Sequence, residues 1–236
     1  GQDHSALPVQ LHSARSGRIA LPPMRERSLW TFVACTAVLC LPPLIGTCSF
    51  GHLAFHMAVN RFHAPWADRF FAIWTNLADG WIPALLAIVL LAWSWRAFLL
   101  MAVSAGGSAI MVQSLKHLCF SHIGRPAMFL DRMPGLHLVP GVELHNYFSF
   151  PSGHSTAAFS MCLALAVLAE RRWSAAVLAV LAASLAFSRV YLSQHFTEDV
   201  LGGALLGTAT GIGAFFLLYR GRLGRDAKLD RSPLRR

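Results

Sequence analysis

The sequence predicts an all-α integral membrane protein, a bundle of six transmembrane helices with an interfacial amphipathic segment. Three observations support this fold class. Of the 236 residues, 55% are hydrophobic and 13% are charged, about half the charged fraction of a typical soluble domain. The mean hydropathy is +0.50. Apolar runs of about the length that crosses a bilayer recur along the chain, separated by short polar or charged connections.

The N-terminal part of the chain changes from polar to apolar near residue 29. Residues 1–28 are basic and contain several prolines, and we expect them to form a cytosolic tail. Residues 29–50 are apolar and close to the roughly 20 residues needed for a spanning helix. Residues 51–79 mix aromatic and charged side chains. This mixture predicts an amphipathic segment that lies in the headgroup layer.

Five further apolar runs follow, and with the first they make a predicted six-helix membrane domain over residues 29–219. The first two, separated by Arg96, predict a helical hairpin, and a polar loop at 120–150 precedes the last three. The five runs cover residues 80–95, 97–118, 155–169, 173–192 and 200–219. Residues 220–236 are basic, and we expect a second cytosolic tail without fixed structure.

The distribution of positive charge predicts the orientation in the membrane. Six spans place both termini on one side, and 14 of the 20 lysines and arginines then lie on that side. Because cytoplasmic loops carry the excess of Lys and Arg, the termini are expected in the cytosol. This topology accounts for the net charge of +9, so we expect no nucleic-acid partner.

A Phe-Pro-Ser-Gly-His stretch at residues 150–154 joins the polar loop to the fourth span. Ser152 is a favoured helix N-cap residue, and its Pro and Gly neighbours favour a turn. The free amides and the positive dipole end of such a helix start favour an anion. His154 adds a group that can carry a proton near neutral pH. Taken alone, the same pattern is also typical of ordinary helix capping.

Other ionisable residues reach the same outer face in the predicted topology. They are Lys116 at the end of the third span, Arg125 in the loop, and Arg189, His195 and Asp199 around the connection between spans five and six. Ionisable groups at membrane depth are costly and tend to mark function. Arg binds phosphate through its planar fork, and Lys acts as a point charge. The sequence therefore predicts a site for a tetrahedral oxyanion.

The spacing around His195 predicts local geometry. Arg189 and His195 are six residues apart, so a continuous helix would aim them at different faces. We therefore expect span five to end between Tyr191 and Gln194. His195 and Asp199 are four residues apart, within reach of each other on a helix or across its cap. A carboxylate bonded to one ring nitrogen would leave the other nitrogen free as a nucleophile.

These residues resemble the type 2 phosphatidic acid phosphatase superfamily, which includes bacterial lipid phosphatases and vanadium haloperoxidases. Its motifs are Lys-x6-Arg-Pro, Pro-Ser-Gly-His and Ser-Arg-x5-His-x3-Asp. Residues 151–154 match the second motif and residues 188–199 match the third in full. The first motif departs from the pattern, because eight residues separate Lys116 from Arg125. The two extra residues fall in the predicted loop.

The resemblance implies a metal-independent phosphate-ester hydrolase without a cofactor. It implies that His195 attacks phosphorus to form a phosphohistidine, that Asp199 orients His195, and that His154 protonates the leaving group. The residues implied to hold the phosphoryl oxygens are Lys116, Arg125, Ser152, Gly153 and Arg189. Phosphoryl transfer depends mainly on positioning and charge stabilisation, which a cationic cluster can provide.

The resulting functional hypothesis is a phosphatase in the bacterial inner membrane that acts on a lipid phosphomonoester or diphosphate at the outer face. Its expected partners are the bilayer and the lipid phosphate, and the oligomeric state is left open. Phosphatidic acid, phosphatidylglycerol phosphate, a polyprenyl diphosphate and lipid A all fit. Two alternatives remain: a lipid phosphotransferase that uses the same intermediate, and a non-catalytic membrane protein that binds anionic lipid. A haloperoxidase is disfavoured because those relatives are soluble.

Overall fold

The structure, a computed structural model, describes residues 23–234. These residues form helices and turns and contain no β-strand, so the predicted all-α class is confirmed. The helices are α1 (Pro23–Phe50), α2 (His52–Asn60), α3 (Pro65–Trp74), α4 (Trp81–Leu91), α5 (Trp95–Leu118), α6 (Gly153–Ala169), α7 (Arg172–Tyr191) and α8 (Thr197–Phe215). The predicted N-terminal tail lies outside the described residues up to residue 22.

Several helices have the length and composition of membrane spans. The four that could cross a bilayer alone are Met24–Phe50, Trp95–Leu118, Arg172–Tyr191 and Thr197–Arg220. A bent pair, Pro65–Ala78 and Trp81–Leu91 at 52° to each other, would make a fifth span, and α6 is a shorter apolar helix. Large apolar side chains cover the outside of the bundle, as expected where lipid replaces water. The count of six spans stays a prediction.

The first half of the chain differs from the predicted segmentation. Helix α1 begins at Pro23, before the predicted start at residue 29, because proline suits the first helical turn and Leu29 is already buried in the bundle. Residues 51–79 contain more than one helical element, and their expected position in the headgroup layer stays a prediction. They form α2, α3 and a 3₁₀ turn (Thr75–Ala78), and the Trp74 indole of α3 donates a hydrogen bond to Ser184 of α7.

The predicted second span at residues 80–95 is also shorter than expected. Helix α4 covers only Trp81–Leu91, and extended backbone at Asp79 separates it from the preceding 3₁₀ turn. Ser94 caps the next helix by accepting a hydrogen bond from the Ala97 amide. The break at Asp79 therefore turns the chain sharply at one end of the bundle.

The C-terminal segment, which we expected to lack fixed structure, is held against the start of α5. The Arg96 guanidinium is 3% exposed and binds both carboxylate oxygens of Asp230, at 2.6 and 3.1 Å. It also donates to the carbonyls of Leu218, Leu223 and Asp226. An arginine at the start of a span thus organises a basic tail that sequence composition alone marks as flexible.

Helices α6 and α8 form the centre of the bundle and pack closely. A Cβ at Gly203 would lie 2.5 Å from the Ser152 carbonyl oxygen, and one at Gly207 would lie 2.3 Å from the Thr156 carbonyl oxygen. Glycines at this four-residue spacing allow two helix backbones to approach. The approach brings the starts of α6 and α8 together, and the Ser152 amide donates to the Asp199 carbonyl at 2.9 Å.

Candidate active site

His195 lies in the turn between α7 and α8. Helix α7 ends at Tyr191, inside the predicted interval. The amides of Gln194 and His195 then donate to the Arg189 carbonyl, at 2.9 and 3.2 Å, and Ser193 takes a left-handed conformation with φ of 52°. This tight reversal folds the His195 side chain into the protein, where the residue is 1% exposed.

Asp199 holds the His195 ring from the first turn of α8. Its Oδ2 lies 3.4 Å from His195 Nδ1. The same oxygen accepts hydrogen bonds from the Phe196 amide at 2.9 Å and from the Ser149 hydroxyl at 2.5 Å. A carboxylate fixed by two donors favours the tautomer with the proton on Nδ1. The Nε2 lone pair of His195 is therefore left for chemistry.

The surroundings of His195 keep its imidazole neutral. Burial lowers its pKa well below 6.5, and the positive charges of Arg125, Arg189 and Lys116 lower the pKa further, with a smaller contribution from His154. A buried cation would be unfavourable among three other cations. The structure thus brings the predicted cations together around a neutral ring nitrogen.

Lys116 reaches this cluster despite its unusual separation from Arg125. It lies in the last turn of α5 and is 8% exposed. After the helix ends, the Ile123 amide donates to the Phe120 carbonyl, so a turn takes up the extra residues. The Ser149 amide then donates to the Ile123 carbonyl at 3.1 Å. The start of the loop is therefore held against Ser149, close to the site, immediately before Arg125.

Arg125 is anchored by the backbone of the outer loop. Its Nε donates to the Tyr147 carbonyl at 3.0 Å and its Nη1 to the Gln194 carbonyl at 3.3 Å. Its own amide donates to the Asn146 carbonyl at 2.8 Å. Burial lowers the pKa of Arg125, and the nearby Asp199 carboxylate counteracts this. These contacts hold the guanidinium beside the turn that carries His195.

Arg189 differs from the structural Arg96 in how its donors are used. Its Nη1 donates to the Thr75 hydroxyl at 2.9 Å, and its Nη2 lies 3.4 Å from Gln194 Oε1. Its Nε is buried and has no hydrogen-bond partner among residues 23–234. Buried donors are nearly always paired, and the nitrogens of Arg96 are all bonded. The free donor of Arg189 is suited to an anion.

The start of α6 presents its free amides beside these cations. Ser152 is the N-cap, as predicted: its Oγ accepts from the Ser155 amide at 3.4 Å, and its carbonyl accepts from the Thr156 amide at 3.0 Å. The earlier amides of the helix, those of Gly153 and His154, are the ones a helix start leaves for an anion. All eight residues predicted for the site therefore lie at the same end of the bundle.

Sequence reasoning missed four side chains that touch the predicted site residues. They are Thr75 and Gln194 on Arg189, Ser149 on Asp199, and Asp79 on His154. The Asp79 Oδ1 lies 2.8 Å from His154 Nε2. Ser149 and Gln194 lie close to motif residues in the sequence, so their nearness to the motifs could have indicated a place at the site. Thr75 and Asp79 belong to the remote α3–α4 bend, and no spacing rule connects them to the motifs.

An apolar groove of about 560 Å³ leads to His154. It lies between α4, α5 and α6, and its walls are mostly alanine, glycine and aliphatic side chains. Along α5 it runs from Phe98 to Gln113, a distance of about 22 Å for a helix. Gly153 and His154 line its polar end. The groove therefore connects the apolar flank of the bundle with the cationic cluster.

No metal-binding group is apparent in the described part of the chain. Residues 23–234 contain no cluster of three or more His, Cys, Asp or Glu side chains that could hold an ion. The charged groups at the site are the cations, Asp199 and Asp79.

Several known proteins are similar to this chain in sequence or in fold. Residues 93–222 match the sequence profile described as the PAP2 superfamily. A lipid A 4'-phosphatase of Bacteroides thetaiotaomicron is 24% identical over 170 residues, covering 68% of this chain and 74% of that protein. The crystal structure of Aquifex aeolicus LpxE superimposes with a TM-score of 0.61 at 26% identity, covering 70% of this chain and 94% of that one.

A second solved structure supports the fold. It is a transmembrane PAP2-type phosphatidylglycerolphosphate phosphatase from Bacillus subtilis, with a TM-score of 0.57 and 23% identity. The match covers 83% of this chain and 98% of that one.

Proposed function

Because the chain belongs to the PAP2 superfamily, whose lipid phosphatases hydrolyse phosphate esters, we propose that it removes phosphate from a membrane lipid through a phosphohistidine on His195. The family resemblance and the enzyme class predicted from the motifs are confirmed. The observation that carries the mechanism is a buried His195 whose Nδ1 faces Asp199, close to an arginine with a donor that has no partner among residues 23–234.

His195 acts as the nucleophile in this proposal. Its Nδ1–H faces Asp199, so the Nε2 lone pair can attack phosphorus. A histidine that stays neutral needs no deprotonation before it attacks. Asp199 stabilises the positive charge that develops on the ring as the nitrogen–phosphorus bond forms.

The cations and the α6 start act as the phosphoryl cradle. The guanidinium groups of Arg125 and Arg189 and the ammonium of Lys116 would neutralise the charge on the non-bridging oxygens, with the Ser152 cap and the Gly153 amide completing the site. Groups that are already held in place stabilise a transition state without reorganisation. This arrangement supplies the charge stabilisation that phosphoryl transfer requires.

His154 acts as the general acid. When His195 attacks, the bond between phosphorus and the leaving oxygen breaks, and its electron pair stays on that oxygen. The proton of His154 moves to the same oxygen, which leaves as an alcohol or a lipid phosphate. Water then attacks the phosphohistidine and gives its proton to His154, and phosphate departs as the nitrogen–phosphorus electron pair returns to His195.

The groove between α4, α5 and α6 supports a lipid substrate. Its apolar walls would hold one hydrocarbon chain, and its polar end at His154 would place the ester oxygen near the acid. Phosphatidic acid, phosphatidylglycerol phosphate, a polyprenyl diphosphate and lipid A remain the candidate substrates. Specificity among them is assigned to the headgroup side, formed by the outer loop at 126–148 and by α2 and α3.

We assign six membrane crossings to α1, the α3–α4 bent pair, α5, α6, α7 and α8. The 17 residues of α6 correspond to about 26 Å, enough for a thin bilayer core. An even number of crossings places both termini on the same side of the membrane, and the positive-inside rule places that side in the cytosol. The site then faces outward from the bacterial inner membrane. The domain limits of 29–219 for the membrane part and 220–236 for a cytosolic tail stay predictions.

Phosphate release from a panel of the four lipid classes in detergent, by wild type and His195→Ala, tests the proposal. We expect the wild type to release phosphate from at least one lipid without added metal and with EDTA present, and His195→Ala to release none. Activity retained in His195→Ala would overturn the nucleophile assignment, and loss of activity in EDTA would overturn metal independence. Vanadate, which mimics the five-coordinate phosphoryl state, should inhibit competitively.

The two alternatives give different results in the same assay. A phosphotransferase would produce a phosphorylated acceptor lipid with little free phosphate. A non-catalytic lipid-binding protein would bind the lipid equally well as wild type and as His195→Ala and release nothing from either. Each result would replace the hydrolase proposal.

A further inference from the structure

Asp79 is a carboxylate that belongs to none of the three motifs and lies outside the family match at residues 93–222. It follows the 3₁₀ turn that ends at Ala78, where the chain bends by 52° into α4. Its Oδ1 is 2.8 Å from His154 Nε2, close enough for a strong hydrogen bond or ion pair. The side chains of Asp79 and His154 are 35% and 29% exposed, so neither group is fully buried, and His154 also lines the groove.

The charges around His154 explain why a carboxylate is needed there. Arg189 of α7 and Lys116 of α5 both act on His154, and Asp79 is the anion among the charged groups that face it. Burial and the nearby cations lower the pKa of the neighbouring His195, which disfavours a further positive charge there. A general acid must carry a proton when the substrate arrives. Among two cations, an imidazolium would be disfavoured unless an anion offsets their charge.

We propose that Asp79 is the positioning residue of the general acid: it binds the Nε2–H of His154, aims Nδ1–H at the leaving oxygen and offsets the imidazolium charge. This inference rests on the proposed function. Asp79 exchanges no atoms with the substrate, and the proton that reaches the leaving oxygen comes from His154 Nδ1. When His154 becomes neutral, its Nε2–H stays bonded to Asp79, so the ring keeps its orientation until water returns a proton to Nδ1.

The α3–α4 bend delivers a second contact to the site, which supports a functional reason for the break. Thr75, in the 3₁₀ turn before Asp79, accepts a hydrogen bond from Arg189 Nη1 at 2.9 Å. Thr75 and Asp79 thus belong to one short segment and contact groups on two other helices, Arg189 of α7 and His154 of α6. The bend therefore orients one phosphate-binding cation and the general acid together.

The test compares Asp79→Asn, His154→Gln and the double variant in the full-length protein. On a lipid phosphomonoester, we expect Asp79→Asn to lower kcat by about 10- to 100-fold with little change in KM, less than the roughly 10²- to 10⁴-fold contribution of a general acid. The double variant should have the kcat of His154→Gln alone, because Asp79 acts through His154. The matched control is Glu26→Gln, which removes a surface carboxylate paired with Arg220 at the opposite end of the bundle from the site and should leave kcat unchanged.

Two further readouts separate positioning from a purely structural role. An aryl phosphate with a good leaving group needs no protonation, so Asp79→Asn should slow its hydrolysis by less than about threefold. The alkaline limb of the kcat profile on the lipid should move to lower pH in Asp79→Asn, because the counter-charge of the acid is gone. Asp79→Glu should restore part of the lost kcat.

Each failure has a distinct meaning. If His154→Gln keeps wild-type turnover, the general-acid part of the proposed function fails. If His154→Gln is slow while Asp79→Asn matches wild type, the positioning role alone is overturned. Losses that multiply in the double variant, or equal losses on the aryl and lipid substrates, would also overturn it, since both would indicate a general effect on the fold.

Discussion

The two histidines of the site are held in contrasting ways. His195 and Asp199 come from the same turn, four residues apart, and their side chains are each only 2% exposed. His154 and Asp79 are 75 residues apart in sequence, and their side chains are 29% and 35% exposed. A nucleophile that stays neutral is suited to a dry environment. An acid that must give and regain a proton has to remain accessible to substrate and water.

The two pairs also differ in how the fold brings their residues together. The tight turn after α7 and the first turn of α8 form the His195 pair from neighbouring residues, so its geometry depends mainly on local backbone structure. The His154 pair requires the α3–α4 bend to pack against the start of α6. Variants of the two pairs should therefore differ in how strongly their effects depend on the leaving group.

The largest expected effect separates the two roles by trapping the intermediate. With a ³²P-labelled aryl phosphate, His195→Ala should form no acid-labile phosphoenzyme and lose at least about 10³-fold in turnover. His154→Gln should still form the phosphoenzyme, because this leaving group needs no proton. Rapid acid-free quenching and gel autoradiography measure the label. Label on His195→Ala would contradict the role of His195 as the nucleophile. Absence of label on His154→Gln would contradict the role of His154 as the general acid.

A somewhat smaller effect is expected from Asp199→Asn. The amide keeps the size of the carboxylate but can present a donor to His195 Nδ1, which favours the wrong tautomer and removes a charge. We expect kcat to fall by about 10²- to 10³-fold, with thermal unfolding in detergent close to that of wild type. Glu198→Gln, which changes the neighbouring, half-buried carboxylate that accepts a hydrogen bond from Thr47, is the matched control. Wild-type kcat in Asp199→Asn would show that ring orientation needs no carboxylate.

The pH dependence of phosphoenzyme formation tests the environment of His195. Because the pKa of His195 lies well below 6.5 in the folded protein, the ring stays neutral as the pH falls through 6.5 and is protonated only at lower pH. Between pH 6.5 and 5.5 we expect less than a twofold loss, whereas the neutral fraction of an ordinary histidine would fall about fivefold. Single-turnover rates, corrected for the phosphate titration of the substrate by ³¹P NMR, provide the measurement. A midpoint at or above 6.5 would contradict the dry, cationic environment.

The smallest expected effect concerns the groove, whose lining includes His154 but not His195. Gly106 lines the groove, and a Cβ there meets no atom within 4 Å, so Gly106→Leu should fit and obstruct the lipid chain. We expect KM for the lipid to rise about three- to tenfold while a short-chain phosphate is unaffected. Gly107→Leu, equally free of contacts and outside the groove lining, is the control. Equal effects of the two substitutions would place the hydrocarbon chain elsewhere.

Several features could be predicted from sequence because they depend on neighbouring residues. The Ser152 cap and the end of α7 follow from local backbone preferences, and both were confirmed. The His195–Asp199 contact was expected from a spacing of four. The membrane class followed from composition. Each of these depends on interactions within about one helical turn or on average hydrophobicity.

Other features depend on contacts between distant segments and were missed or wrong. The interfacial position expected for residues 51–79 stays a prediction, and the contact of Trp74 with α7 was missed. The C-terminal tail was expected to lack structure, yet Arg96 binds it. The role of Asp79 could not be found from motif spacing. A contact of this kind is decided by which helices lie side by side.

The sequence by itself determined that the chain is helical and apolar and that it carries a set of cations together with a locally paired histidine. Only the tertiary structure decided that the chain bends at Asp79, that the groove ends at His154 and that Arg189 keeps a donor free. The physical reason is that the close approach of α6 and α8 and the α3–α4 bend result from packing across the whole bundle. That packing sums many weak contacts, and no short segment of the chain encodes it.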